Sequence, residues 1–434
     1  MLSVRKYNVS TQLDGEVMDL GIGKGLRLGF FGSFYPFVDR LGSASTSMVA
    51  LLDRLPEVSK ITVFAPYSAK MMNGNTSTKI ELVESWKYDD PLSLLRTLKL
   101  MKARKSDLDL IIFNIYVTSF GKSRIVNALG LLMPSLASKF CMIPTTVYMH
   151  NLVETQDIEN LGYHSSTLSK NAAILLERLI FKWCRVVMPL RSQTKIAESV
   201  HRRQVHQLQI PYLEAVASNL LSTQGVFHST DRRKPNILLF GSWGPQKDLE
   251  SGLSVLKELL DEGLDFDVKI AGRINSNFPS YSEKFRAIKE AFSSSSFSFI
   301  GEVDESLVES VFSSSNVLFL PYNGAGGYSG VMNIGALYGL KMIAYDLPQL
   351  REFSQNIKAN AFFVRKGDKE ALKFALRQAI FATSIEVSAT SNLTDKLRAS
   401  ESAVSELLRI AKDGAEDRLH PVNSPVERKL LKFP

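Results

Sequence analysis

Short apolar runs, separated by stretches long enough for a helix, recur along most of the chain, and this alternation narrows the fold more than any other feature. Runs at residues 26–31, 61–65, 110–114 and 145–149 are followed by a polar link at 222–234 and by a second set at 237–239, 268–271, 316–320, 342–345 and 362–364. Runs of this kind, bounded by turn residues, fit parallel strands buried on both faces. Strands alternating with helices then imply α/β architecture with doubly wound sheets. The polar link, which contains His228, Asp231 and Arg232, divides the strands into two sets and marks a domain boundary. The expected organisation is an N-terminal extension over 1–25, a first Rossmann-like domain over 26–225, a second over 226–390, and a helical tail over 391–434. A chain of 434 residues is long enough for two domains with separate cores.

Composition excludes several classes. Hydrophobic content of 45% and charged content of 22% are those of a globular protein. The 52 Lys and Arg against 44 Asp and Glu give +8, which favours anionic partners without choosing among them. No basic motif with flanking aromatics favours nucleic acid. Only Cys141 and Cys184 occur, in apolar settings, so a disulfide framework is not expected and a reducing cytoplasm is. Residues 1–24 lack the apolar core of a secretory signal. The longest apolar stretch, 125–148, is broken by Pro134, Lys139 and Pro144 and reads as a helix followed by a strand. A membrane span would need about 20 mostly apolar residues without such breaks.

The richest segment is 321–352, PYNGAGGYSGVMNIGALYGLKMIAYDLPQLRE. Gly324, Gly326 and Gly327 let the backbone turn and approach a ligand without Cβ interference. Ser329 and Gly330 open a helix whose first N–H groups lack intrahelical partners and carry the positive end of its dipole. Such an end suits a phosphate or a sugar oxygen. The helix stops near Gly339, and KMIAY at 341–345 is the next strand.

This segment resembles the donor-site region of retaining glycosyltransferases of the GT-B fold, in the large family that includes sucrose synthases and bacterial mannosyltransferases. That family carries G-x-P-V-I-A-x-D followed by L-R-E; here Gly339, Ile343, Ala344 and Asp346 match, with Leu350, Arg351 and Glu352 as the tail. ILLFGSWGPQKDL at 237–249 resembles the family's GRLxxxKG loop, whose Arg and Lys neutralise the donor diphosphate. Lys247 falls on the Lys and Ser242 on the Arg. FIGEVDESL at 299–307 resembles a structural strand-to-helix element. The family's E-x(7)-E pair falls on Gly326 and Ile334, neither of which can accept a hydrogen bond through its side chain.

The resemblance implies two Rossmann-like domains facing across a cleft, the nucleotide mainly on the second and the acceptor mainly on the first. It assigns His150, after the strand TTVYM, to the reacting sugar. Lys247 is assigned to the diphosphate, with the backbone at Tyr328, Ser329 and Gly330 as further donor contacts. Gly42 stands opposite Lys247 and Ser329, and Arg273 is a candidate replacement for the Arg missing at Ser242. No metal and no cofactor are implied. Glu154 reads as an exposed loop acid, although it lies near enough to His150 in sequence to reach an acceptor. GIGKG at 21–25 lacks the strand before it and the Ser or Thr after it that a phosphate-binding loop needs. Arg96, Lys99, Lys102, Arg104 and Lys105, interleaved with Leu95, Leu98, Leu100 and Met101, suggest a basic helix with two readings: a solvated face over one apolar stripe, or an anionic membrane contact at the inner face.

The implied function is retaining transfer of a sugar from a UDP- or GDP-sugar to a sugar or a lipid-linked glycan. Two other readings stay open: a phosphorylase or epimerase on the same fold, and a non-catalytic nucleotide- or sugar-binding subunit.

Overall fold

The structure is a computed structural model and describes residues 25–34, 42–67, 69, 77–155, 167–213, 234–275, 278–324, 329–385 and 393–419. The expected boundary at 225 and 226 lies outside the described residues.

The first sheet is built from β1 (Leu26–Gly32), β2 (Val58–Pro66), β3 (Ile80–Trp86), β4 (Leu110–Ile115), β5 (Thr145–Met149), β6 (Arg185–Met188) and β7 (His206–Gln207). All pairings are parallel, in the order β3-β2-β1-β4-β5-β6-β7. Its crossovers include α1 (Gly42–Asp53), α2 (Pro91–Ala103), α3 (Arg124–Lys139), α4 (Thr167–Trp183) and α5 (Arg191–His201). The second sheet holds β8 (Asn236–Phe240), β9 (Asp267–Ala271), β10 (Phe297–Gly301), β11 (Val317–Leu320), β12 (Lys341–Tyr345) and β13 (Ala361–Val364), parallel and in the order β10-β9-β8-β11-β12-β13. Its helices are α6 (Leu249–Asp261), α7 (Tyr281–Ala291), α8 (Glu305–Ser313), α9 (Gly330–Leu337), α10 (Pro348–Asn356) and α11 (Lys369–Ile385). The final helix, α12 (Leu393–Leu419), packs against α1, β4, β5 and β6 of the first sheet.

The central strands are apolar because helices cover both of their faces: β4 is buried at every position, and so are β5 and β11. Edge strand β3, IELVESW, mixes exposed and half-buried positions before ending on buried Ser85 and Trp86. The segment 125–148 resolves into α3, with Pro134 inside it, followed by β5. Apolar clusters around Phe113 and Met149, and around Leu253 and Phe319, back the outer faces of the two sheets. A third cluster is continuous between the domains, joining Phe30, Met48 and Leu407 to Leu318, Met332 and Leu350.

Helix α2 is capped by Asp90, whose carboxylate accepts N–H bonds from Leu92 and Ser93. It buries Leu94, Thr97 and Met101 and leaves Leu92, Leu95, Arg96, Lys99 and Lys102 exposed. Both cysteines are free thiols, Cys141 buried and Cys184 half-buried. Among the described residues, no helix is long and apolar enough to cross a membrane.

Candidate functional site

Two glycines at the carboxyl ends of β8 and β9 set the geometry of the second domain's loops. Gly272 has φ +115°, and a Cβ there would lie 1.9 Å from the Gly241 carbonyl oxygen. Gly241 has φ +144°, and a Cβ there would lie 2.0 Å from Lys247 Nζ and 3.8 Å from Val331 Cγ2. Only residues without a side chain permit this approach. It brings the Lys247 ammonium beside the first turn of α9. The loops are cross-tied by Trp243 N–H to the Arg273 carbonyl and Asn275 N–H to the Trp243 carbonyl, each 2.7 Å.

Lys247 is 7% exposed. Its Nζ donates to Tyr322 Oη at 3.2 Å and stands 4.5 Å from the Tyr322 ring and 5.6 Å from the Trp243 ring. Aromatic faces hold the cation in place. The buried ammonium and the α9 amino terminus present adjacent positive charge, as an anion requires. Ser329, itself buried, caps the helix by accepting from Met332 N–H at 3.2 Å, and Gly330 is its first residue. Tyr328 and Gly326 lie outside the described residues. Ile334 packs on the inter-domain apolar cluster. Ser242 is half-buried in the loop between Gly241 and Trp243.

Arg273 donates to Glu302 Oε1 at 3.1 Å in a partly exposed ion pair. Its charge is thus directed toward the carboxyl end of β10. Sequence reasoning missed Gln246, a neighbour of Lys247: it is 7% exposed, with neither amide atom bonded. Trp243 Nε1 and Asn323 Oδ1 are also buried and unbonded, and Asn323 N–H donates to the Gln246 carbonyl at 2.9 Å. Unsatisfied buried polar atoms are costly, so several in one loop cluster suggest groups reserved for a ligand. No sequence motif marks them.

In the first domain, His150 follows β5 and is fully buried. Its ring stacks on Tyr116 at 4.7 Å and meets Tyr148 edge-on at 4.9 Å. Burial drives its pKa down to about 3, so the imidazole is neutral at ordinary pH. Nε2 lies 2.6 Å from Asn114 Oδ1, and Asn114 Nδ2 donates to Ser45 Oγ at 3.0 Å. A buried polar chain therefore links His150 to α1, whose first residue is Gly42. Glu154, expected to be an exposed acid, instead turns inward toward Glu177 and His201.

The tail after β12 is structural. Arg351 forms a bidentate pair with Asp346 at 2.7 and 2.8 Å and stacks over Phe363 at 4.7 Å. Glu352 accepts from the backbone N–H groups of Arg191 and Ser192, capping α5 of the other domain.

No protein-family model and no curated protein matches the chain. Solved structures do match in shape. A glycosyltransferase from Rickettsia africae is 13% identical, with 92% of this chain and all of that one covered and a TM-score of 0.60. Anabaena HepE in complex with UDP and glucose is 10% identical over 88% and 99%, with a TM-score of 0.58. The catalytic domain of starch synthase IV from Arabidopsis thaliana, bound to ADP and acarbose, is 14% identical over 91% and 100%, with a TM-score of 0.57. This chain has the GT-B fold. In that GT-B frame, Lys247 and the start of α9 both lie at the carboxyl ends of the second sheet, where open α/β sheets bind ligands.

Proposed function

We propose that this protein is a glycosyltransferase that moves a sugar from a nucleoside diphosphate donor to a sugar or a lipid-linked glycan, with retention at the anomeric carbon. The observation that carries this reading is the convergence, at Gly241, of the buried Lys247 ammonium and the first turn of α9. In the transfer, the bond between the sugar C1 and the terminal phosphate oxygen breaks, its electron pair leaves on the diphosphate, and an acceptor hydroxyl oxygen bonds to C1 on the same face, its proton passing to the departing phosphate oxygen. Lys247 and the first N–H groups of α9, held in place beforehand, would stabilise the developing charge without reorganising. Gln246 and Asn323 supply hydrogen-bonding atoms beside them, and neutral His150, on the first domain, is the residue assigned to the reacting sugar. HepE and starch synthase IV hold UDP and ADP, so a diphosphate is the shared chemistry to test. The exposed Leu92, Leu95, Arg96, Lys99 and Lys102 of α2 would suit a lipid-linked acceptor at an anionic surface.

One observation favours a second reading, a binding subunit without turnover: Ile334 sits where the family carries a glutamate and is used in apolar packing. Calorimetric titration with UDP, GDP, ADP and their sugars tests the donor site. Selective binding that weakens in Lys247→Ala supports it, and no binding by any of them overturns it. Product release from a bound sugar nucleotide then separates transfer from binding alone.

A further inference from the structure

On the far side of the loop that carries His150, three elements each contribute one titratable side chain to a shared interior point. Glu154 lies in the short turn Val153–Thr155, Glu177 in the middle of α4, and His201 at the end of α5. His201 Nε2 is 3.9 Å from Glu154 Oε1 and 3.8 Å from Glu177 Oε2, and one ligand atom from each residue lies within 4.8 Å of the others. Glu177 is 0% exposed, and the His201 side chain is 1% exposed. Glu177 Oε2, both Glu154 oxygens and both His201 ring nitrogens lack hydrogen-bond partners.

We propose that Glu154, Glu177 and His201 bind one divalent transition-metal ion of the zinc class. A bare pair of carboxylates in such a place is strongly disfavoured, because each charge loses its hydration and repels the other. One dication neutralises both and gives every unpaired atom facing the centre a partner. One imidazole with two carboxylates is a donor set that suits zinc, three protein ligands leaving a fourth position for water. Zinc bonds of about 2.0 to 2.2 Å at tetrahedral angles put ligand atoms about 3.4 Å apart, so the 3.8 and 3.9 Å from His201 Nε2 to the two carboxylates need only a small contraction.

The ligands are already oriented. Glu177 uses its other oxygen, Oε1, to accept from Val153 N–H at 2.9 Å, leaving Oε2 turned to the centre. The His201 ring is stacked on Phe181 at 4.1 Å with an interplanar angle of 11°. The ion would tie the turn after β5 to α4 and α5, holding the segment that begins at His150 and Asn151. The site is independent of the donor site, which belongs to the other domain.

The test uses the full-length protein, treated with chelator and then titrated with Zn²⁺ alone, with bound metal counted by mass spectrometry and melting followed with and without the ion. About one equivalent should bind and raise the melting temperature. Glu154→Gln, at the least buried ligand, and Glu177→Gln should each weaken binding by about tenfold or more. If neither folds, the wild-type stoichiometry still decides. The proposal is overturned if the wild type takes up no stoichiometric Zn²⁺, or if uptake is undiminished in both folded variants. An increase in melting temperature from Glu177→Gln in a wild-type background that binds no metal would assign the cluster to a shared proton instead.

Discussion

The backbone N–H of Tyr212 donates to Asn333 Oδ1 at 3.0 Å, joining the chain just beyond the first sheet to the helix that faces the proposed donor. Tyr212 adopts a left-handed conformation, φ +56°, and its hydroxyl donates to the Ile357 carbonyl at 2.9 Å, so one residue holds both α9 and the end of α10. Asn333 is 1% exposed. Asn333→Ala leaves a buried N–H without a partner and should cost about 1 to 3 kcal/mol. Urea unfolding of the variant beside the wild type measures it; an unchanged midpoint would show that water or a shifted carbonyl replaces the amide.

Lys247→Ala removes a charge-assisted contact worth roughly 1.5 to 3 kcal/mol, which corresponds to a loss of about 10- to 150-fold in nucleoside diphosphate affinity. Gly241→Ala should reproduce much of this loss although it deletes no charge. The added methyl group would occupy the ammonium's position, on a backbone at φ +144° that L residues rarely adopt. Calorimetry on both variants checks the pair, and full affinity in Gly241→Ala would show that the space Gly241 leaves for the Lys247 ammonium is not needed for binding.

His150 makes stability depend on acid. Its pKa falls from 6.5 unfolded to about 3 folded, so between those values the unfolded chain binds a proton that the folded chain refuses. Stability contributed by this site is present above pH 6.5 and is lost as pH falls toward 3. His150→Asn should flatten the dependence of unfolding free energy on pH within that window by up to about 1.4 kcal/mol per unit. Denaturant titrations across the window read the slope, and equal slopes would place the titration elsewhere.

Glu352→Ala strips the cap from the amino terminus of α5 and should destabilise the protein by about 1 kcal/mol. Since the cap comes from the other domain, the variant should also loosen the junction. Hydrogen exchange at Arg191 and Ser192 detects this directly, and unaltered protection there would show that the carboxylate is dispensable.

Five of the six strands of the second sheet were legible because they are short, apolar and closely matched to the resembled motifs: KMIAY is β12 to the residue. The edge strand β10, FSFIG, was not among the apolar runs, since Ser298 interrupts it and most of its positions are exposed or half-buried. In the first sheet, β3, β6 and β7 escaped notice. Edge strand β3 alternates with Glu81 and Glu84, β6 opens on Arg185, and β7 has two residues, so none produces a sustained apolar run. Lys247 and Ser329 could be named from motif spacing. Gln246 could not, because its significance lies in what its amide lacks, and a sequence does not record unmade bonds. The grouping of Glu154, Glu177 and His201 depends on how a turn and two helices separated by β6 stack, and their spacing matches no metal-binding motif.

Lys396, on α12, donates to the carbonyl oxygens of Ala336 and Leu337 at 2.7 and 2.9 Å, at the carboxyl end of α9. The same α12 lies along the first sheet. The helix whose amino end faces the proposed donor is therefore gripped at its other end by a piece of chain anchored in the opposite domain. Cutting the polypeptide before residue 393 would leave every proposed donor contact in the sequence, yet would release the far end of the helix that presents them. For anyone dividing this protein into fragments, the last helix has to travel with both halves.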